Sequence, residues 1–124
     1  MKHTILIVDD SALIRRSLRS FIEKRSDWGI CGEAENGQVA VEKVQQMHPE
    51  VVILDLQMPV MNGLEAARQI NQLAPETAML MFTMHNSDEL QTAARAAGIR
   101  QVLSKSDAAA DHLMDSLKDV DADS

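Results

Sequence analysis

Five polar residues stand just past short apolar runs in this chain. Asp9 and Asp10 follow Ile5-Leu6-Ile7-Val8, Asp55 follows Val51-Val52-Ile53-Leu54, Thr83 follows Ala78-Met79-Leu80-Met81-Phe82, and Lys105 comes shortly after Val102-Leu103. Three carboxylates gathered in one pocket repel each other by about 1–4 kcal/mol per pair at ~4 Å, so they must bind a cation or shift a pKa. An all-oxygen ligand set suits Mg²⁺, which takes one or two carboxylates, keeps several waters and leaves positions for phosphoryl oxygens. With a metal and the Lys105 amine offsetting charge, a central carboxylate such as Asp55 can attack phosphorus, and the Thr83 hydroxyl can donate to a phosphoryl oxygen. Each residue taken alone has a plainer reading. An Asp after a strand caps a turn or a helix, Thr83 is a strand residue, and Lys105 is a solvated loop charge. Their conjunction at four strand ends is what points to chemistry.

The elements that must position these residues alternate along the chain. Besides the four runs named, Ile30-Cys31 with Ala34 beyond it reads as a fifth strand. Between the runs, apolar residues recur at three- and four-residue spacing: Ile14, Leu18, Phe21 and Ile22; Ala40, Val44 and Met47; Ala66, Ile70 and Leu73; Leu90, Ala93, Ala94 and Ala97; then Leu113, Leu117 and Val120. Strands of four or five residues alternating with helices of ten to fifteen imply βα units and a parallel sheet. Ser11 can cap the first helix, and the pairs Asn62 with Glu65 and Asn86 with Glu89 resemble capping boxes. Gly98 reads as a helix stop, and Pro49 and Pro75 sit just before strands. Runs one, three and four are nearly all apolar, as strands covered on both faces must be, while the runs near Glu33 and Gln101 are mixed and read as edges. The expected fold is α/β, a doubly wound (βα)5 flavodoxin-like sheet of five parallel strands in the order 2-1-3-4-5. Ligands of such sheets bind beyond the carboxyl ends of the strands, where Asp9, Asp10, Asp55, Thr83 and Lys105 would meet.

Composition narrows the function further. The chain has 124 residues, of which 45% are hydrophobic, enough for one core in a single domain over 1–124 with an acidic tail at about 119–124. A net charge of −7 argues against direct grip on a nucleic-acid backbone, and two Phe, one Trp and no Tyr leave few platforms for stacking bases. No apolar run approaches the ~18–20 residues of a membrane span, and Ile5 to Val8 is too short for a signal-peptide core, so a soluble, cytoplasmic protein is expected. Cys31 is the only cysteine, which rules out an internal disulfide, and it reads as a small buried apolar residue. His3, His48, His85 and His112 show no metal-ligand spacing and read as surface, with His85 near enough to Thr83 to influence a hydrolytic water.

The motifs resemble the response-regulator receiver family along essentially the whole chain. The matching text is Ile5-Leu6-Ile7-Val8-Asp9-Asp10-Ser11, then Val52-Ile53-Leu54-Asp55-Leu56-Gln57-Met58-Pro59 with Asn62-Gly63, then Met81-Phe82-Thr83, then Leu103-Ser104-Lys105. The segment from Asp55 to Ala66 looks most like CheY-like receivers of the NarL/LuxR type. The resemblance implies that Asp55 is the phospho-acceptor. It implies that Asp10 is a direct Mg²⁺ ligand, that Asp9 acts directly or through water, and that the Gln57 backbone carbonyl completes the metal site. Thr83 matches the switch hydroxyl and Lys105 the phosphate-binding lysine. It further implies a histidine kinase or phosphotransfer protein as donor, and an output partner that includes a LuxR-type DNA-binding domain among its candidates. A phosphorylation-dependent homodimer and catalysis of nothing beyond the chain's own phosphoryl transfer and dephosphorylation go with it.

The chain also departs from the family pattern. Val102 stands where many receivers carry Tyr or Phe, Ser106 replaces the proline that often follows the lysine, and Met84 is bulkier than the small residue often found after the switch hydroxyl. Met84 is expected either to narrow access to the phosphoryl group or to pack into its loop. The output surface is expected on helix four, strand five and helix five, where Gln91, Arg95 and Arg100 could lie. Two rivals stay open: a receiver-like interaction module that is never phosphorylated, and an aspartyl-phosphate phosphatase. The second is disfavoured because Gln57 replaces the second carboxylate of an Asp-x-Asp pair. Whether the chain is a stand-alone receiver or part of a longer regulator is open.

Overall fold

The computed structural model describes residues 3–84, 86–105 and 109–122, with backbone alone for 109 and 110. In chain order the elements are β1 (Thr4–Val8), α1 (Ala12–Arg25), β2 (Gly29–Ala34), α2 (Gly37–Met47), β3 (Val51–Leu54), α3 (Gly63–Leu73), β4 (Ala78–Thr83), α4 (Asp88–Ala96), β5 (Gln101–Ser104) and α5 (Ala109–Ala122). The strands form one parallel sheet in the order β2-β1-β3-β4-β5. This is the expected doubly wound arrangement, with the two mixed runs at its edges.

Strand periodicity divides the core into two layers. Side chains of successive strand residues point to opposite faces. Ile5, Ile7, Val51, Ile53, Leu80 and Leu103 pack with Leu18 and Ile22 of α1 and Leu113 and Leu117 of α5. Leu6, Val8, Val52, Leu54, Met79 and Met81 pack on the other face with Ala40 and Val44 of α2, Ala66 and Ile70 of α3, and Leu90 and Ala94 of α4. Because β1, β3 and β4 are covered on both faces, every residue of β3 is buried. Two residues of the expected stripes, Met47 and Leu73, are instead exposed at the last turns of their helices.

Caps confirm most of the punctuation. Ser11 Oγ accepts from the Ile14 N–H at 3.2 Å, and Asn62 Oδ1 from the Glu65 N–H at 2.9 Å. At α4 the cap is Ser87, not Asn86: Ser87 Oγ accepts from Leu90 N–H at 3.0 Å, while Asn86 Oδ1 takes the Gln91 side chain at 3.1 Å. Ser is as good a cap as Asn and places Asp88 and Glu89 in the first turn, where the helix dipole favours them. The acidic stretch from Asp119 continues as helix through Ala122 rather than forming a tail, because Leu117 and Val120 keep its inner face buried. Cys31 is half-buried on edge strand β2, and burial pushes its thiol pKa up.

Candidate functional site

The parallel register sets the four strand ends side by side. Val8 pairs with Leu54, Leu54 with Met81, and Thr83 with Ser104. The chain therefore leaves β1, β3 and β5 with Asp9, Asp55 and Lys105 along one edge. The Asp55 N–H donates to Val8 O at 3.0 Å and the Lys105 N–H to Thr83 O at 2.8 Å, so the pairing continues one residue past the strands.

Short local bonds then aim the side chains. Asp9 Oδ1 accepts from the Ser11 N–H at 2.9 Å, an Asx turn leading into α1. Asp55 Oδ1 accepts from the Leu56 N–H at 2.7 Å. The outer oxygens share one cation: Lys105 Nζ donates to Asp9 Oδ2 at 2.8 Å and to Asp55 Oδ2 at 3.1 Å. These side chains are only 9% (Lys105), 3% (Asp9) and 12% (Asp55) exposed. The ammonium also lies 5.8 Å from the centre of the Phe82 ring, within cation–π range. Burial alone would lower the Lys105 pKa, but the hydrogen bonds to Asp9 and Asp55 outweigh it and hold the pKa above its ordinary value. Lys105 is thus a fixed positive charge at neutral pH.

Asp10 is exposed and completes the acidic group, with one carboxylate oxygen each from Asp9, Asp10 and Asp55 lying within 4.8 Å of one another. Oxygens bound directly to one Mg²⁺ at about 2.1 Å cannot lie more than ~4.2 Å apart. Three carboxylate oxygens this close together fit a shared divalent cation, bound directly or through water. Thr83 is fully buried at the end of β4, and Gln57 is exposed on the loop leaving β3.

That loop is held tightly. The Gly63 N–H donates to Leu56 O at 2.8 Å, and a Cβ on Gly63 would lie 2.1 Å from the Asp55 carbonyl oxygen. The Gly37 N–H donates to Met61 O at 2.9 Å, where a Cβ would come within 2.5 Å. Between these anchors, the Met61 N–H reaches back to Pro59 O at 2.7 Å across Val60, whose φ is 69°. A β-branched residue in that region is strained, and the strain sits five residues from Asp55.

Sequence reasoning named the five polar residues and Gln57 but missed their support. Arg15 donates from Nη1 to the Asp9 carbonyl at 2.6 Å and from Nε to Glu33 Oε1 at 2.9 Å. Nothing in the spacing of α1 signals this, because Glu33 lies on another element. Burial would raise the Glu33 pKa, but hydrogen bonds from Arg19 and Arg15 outweigh it and leave it lowered. Met84 is 71% exposed beside Thr83, so it stands on the rim rather than packing into its loop. Val102 is partly buried against the α2–α3–α4 core layer. His48 is exposed with a left-handed backbone that ends α2, and His112 is exposed on α5. His3 is not plain surface: its ring lies 4.3 Å from that of Trp28 and bridges Glu50 and Asp121. His85 and Ser106 lie outside the described residues.

The response regulator receiver domain family matches residues 5–118. The chain belongs to that family. Among relatives of this receiver, the transcriptional regulatory protein YdfI of Bacillus subtilis is 42% identical over 86 residues, which are 69% of this chain and 40% of that protein. A protein-glutamate methylesterase/protein-glutamine glutaminase of Alkalilimnicola ehrlichii is 38% identical over 110 residues, 89% of this chain and 26% of that protein. The receiver thus spans less than half the length of these curated relatives. Among solved structures, the response regulator domain of Thermotoga maritima CheB superposes with a TM-score of 0.89 at 28% identity, covering 97% of this chain and 96% of that one. A LuxR-family response regulator from Aurantimonas sp. SI85-9A1 superposes with a TM-score of 0.90 at 28% identity, covering 98% and 87%. Among the described residues, no helix is long and apolar enough to cross a membrane.

Proposed function

We propose that this receiver is a phosphorylation-activated switch that accepts a phosphoryl group on Asp55 from a histidine kinase or phosphotransfer protein, in the cytoplasm. The observation that carries this reading is the Lys105 ammonium held between Asp9 and Asp55 beside the exposed carboxylate of Asp10. The Asp55 carboxylate attacks phosphorus, an O–P bond forms, the P–N bond to the donor histidine breaks, and its electron pair returns to the imidazole nitrogen. Asp9, Asp10, Asp55 and the Gln57 backbone carbonyl would hold Mg²⁺, which would offset the charge on the transferring phosphoryl group. Lys105 already touches the acceptor carboxylate and needs little movement to reach a phosphoryl oxygen.

Once Asp55 is modified, Thr83 and Lys105 are drawn to the new oxygens, moving the loops after β4 and β5. Charge-assisted hydrogen bonds contribute roughly 1.5–3 kcal/mol each. Two of them approach the ~5.5 kcal/mol that carries a switch from 1:99 to 99:1. The exposed side chains of Gln91, Arg95 and Arg100 on α4 and before β5 lie on the output face. The partner there is a LuxR-type DNA-binding domain or a second receiver, a reading supported by the transcriptional regulator and LuxR-family relatives. The receiver catalyses only its own phosphoryl transfer and dephosphorylation.

The test is intact mass after incubation with Mg²⁺ and acetyl phosphate, alongside Asp55→Asn. One added phosphoryl group is expected, absent in the variant and after chelation. No addition from acetyl phosphate or from a cognate kinase would leave the unphosphorylated module as the better reading. Turnover of an aryl phosphate would favour the phosphatase.

A further inference from the structure

The exposed carboxylate of the acidic group, Asp10, is not placed by burial of its own side chain. Its position depends on the peptide joining it to Asp9, and the outer end of that peptide is held from α1. Arg15 spans the gap with two parts of one planar group: Nη1 donates to the Asp9 carbonyl at 2.6 Å and Nε to Glu33 Oε1 at 2.9 Å. The Arg15 side chain is largely buried, so water competes little for these bonds. Glu33 is itself braced by Arg19 Nη2 at 2.9 Å, and its carbonyl accepts from Lys43 of α2. The acidic turn is thereby tied through Arg15 to β2, α1 and α2.

We propose that Arg15 is a positioning residue for the metal site: by fixing the Asp9 carbonyl, with Glu33 as its anchor, it sets the direction of the Asp9–Asp10 peptide and so the place of the Asp10 carboxylate. The proposal rests on the Mg²⁺ reading given above. Its sign is what makes it specific. A guanidinium near three carboxylates opposes a cation, so on charge alone removing Arg15 would tighten Mg²⁺ binding. As a positioning residue, its removal weakens binding instead. Groups that orient metal ligands cost about 10–100-fold in affinity when lost. Lysine keeps the charge but cannot make both bonds in one plane, so it does not substitute.

The experiment is Mg²⁺ titration of the unphosphorylated protein by calorimetry and by the backbone amide shift of Asp10, with melting curves on every variant. Arg15→Ala and Arg15→Lys are each expected to weaken Mg²⁺ by about tenfold. Glu33→Gln, which keeps the Arg15 charge but loosens its anchor, is expected to weaken it less and covers the case in which Arg15→Ala does not fold. Arg16→Ala removes the same charge from the same turn and is expected to leave affinity unchanged. Unchanged binding in folded Arg15→Lys, tighter binding in Arg15→Ala, or an equal loss in Arg16→Ala would overturn the proposal while leaving the Mg²⁺ reading intact. Absence of Mg²⁺ binding by the unsubstituted protein would overturn that reading and the proposal with it.

Discussion

Asp9 spends both carboxylate oxygens and its carbonyl on the protein: Ser11 takes Oδ1, Lys105 takes Oδ2 and Arg15 takes the backbone oxygen. A carboxylate so committed orients the site more than it moves within it. Thr83 is fully buried at the end of β4, and its proposed work on the phosphoryl group begins when phosphate arrives. Thr83→Ala keeps Asp55, Lys105 and the carbonyl that binds the Lys105 N–H. It is expected to accept phosphate normally yet to lose one contact of ~1.5–3 kcal/mol, which lowers the active-to-inactive ratio by about tenfold or more. Phosphorylation-induced amide shifts in α4 read this directly, and a full shift in the variant would remove Thr83 from the switch.

At the scale of elements, the loop between β3 and α3 is tightly held. It is held at Gly63 against Asp55 and at Gly37 against Met61, with Val60 strained between. Gly63→Ala would drive a Cβ into the Asp55 carbonyl, where the 2.1 Å approach leaves no room and the obstacle is backbone. The expected cost is about 1–3 kcal/mol in denaturant unfolding, together with slower phosphorylation, because the backbone that must give carries the acceptor. A variant that unfolds like the parent and phosphorylates at the parent rate would show that the loop adapts.

For the whole molecule, a second set of ties closes the far end of the sheet. His3 lies 3.1 Å from Glu50 Oε1 before β3 and 2.9 Å from Asp121 Oδ1 at the end of α5. The five residues of β1 separate it from Asp9, about 20 Å over six steps of 3.3 Å. Hydrogen bonding to Glu50 raises the His3 pKa, burial opposes, and the charges of Glu50 and Asp121 add to the rise. A raised folded-state pKa stabilises the protein below the unfolded value of about 6.5, and that contribution is lost as pH rises through the higher folded value. His3→Gln is therefore expected to lower the melting temperature most near pH 6 and progressively less above it. A deficit that grows with pH would show that His3 acts through its neutral ring on Trp28 alone.

Periodicity and punctuation were enough to read the order of elements, the edge strands and the polar residues at the strand ends, because burial on both faces leaves a dense apolar run and a strand must end where such a run ends. The capping of α4 slipped by one residue because Asn86 and Ser87 are equally able caps and only the path of the chain chose between them. Which side chains pair with which across large separations in the chain was not legible. Lys105 meets Asp9 across 96 residues, Arg15 meets Glu33 across 18, and His3 meets Glu50 across 47. The sequence by itself determined that Asp9, Asp10, Asp55, Thr83 and Lys105 share an edge. Only the tertiary structure decided that Lys105 sits between Asp9 and Asp55, that Thr83 is buried, and that Arg15 holds the acidic turn. The reason is physical: a strand's sequence dictates which residues face the core, whereas a side chain's partner depends on what the packed sheet brings within 3 Å of it.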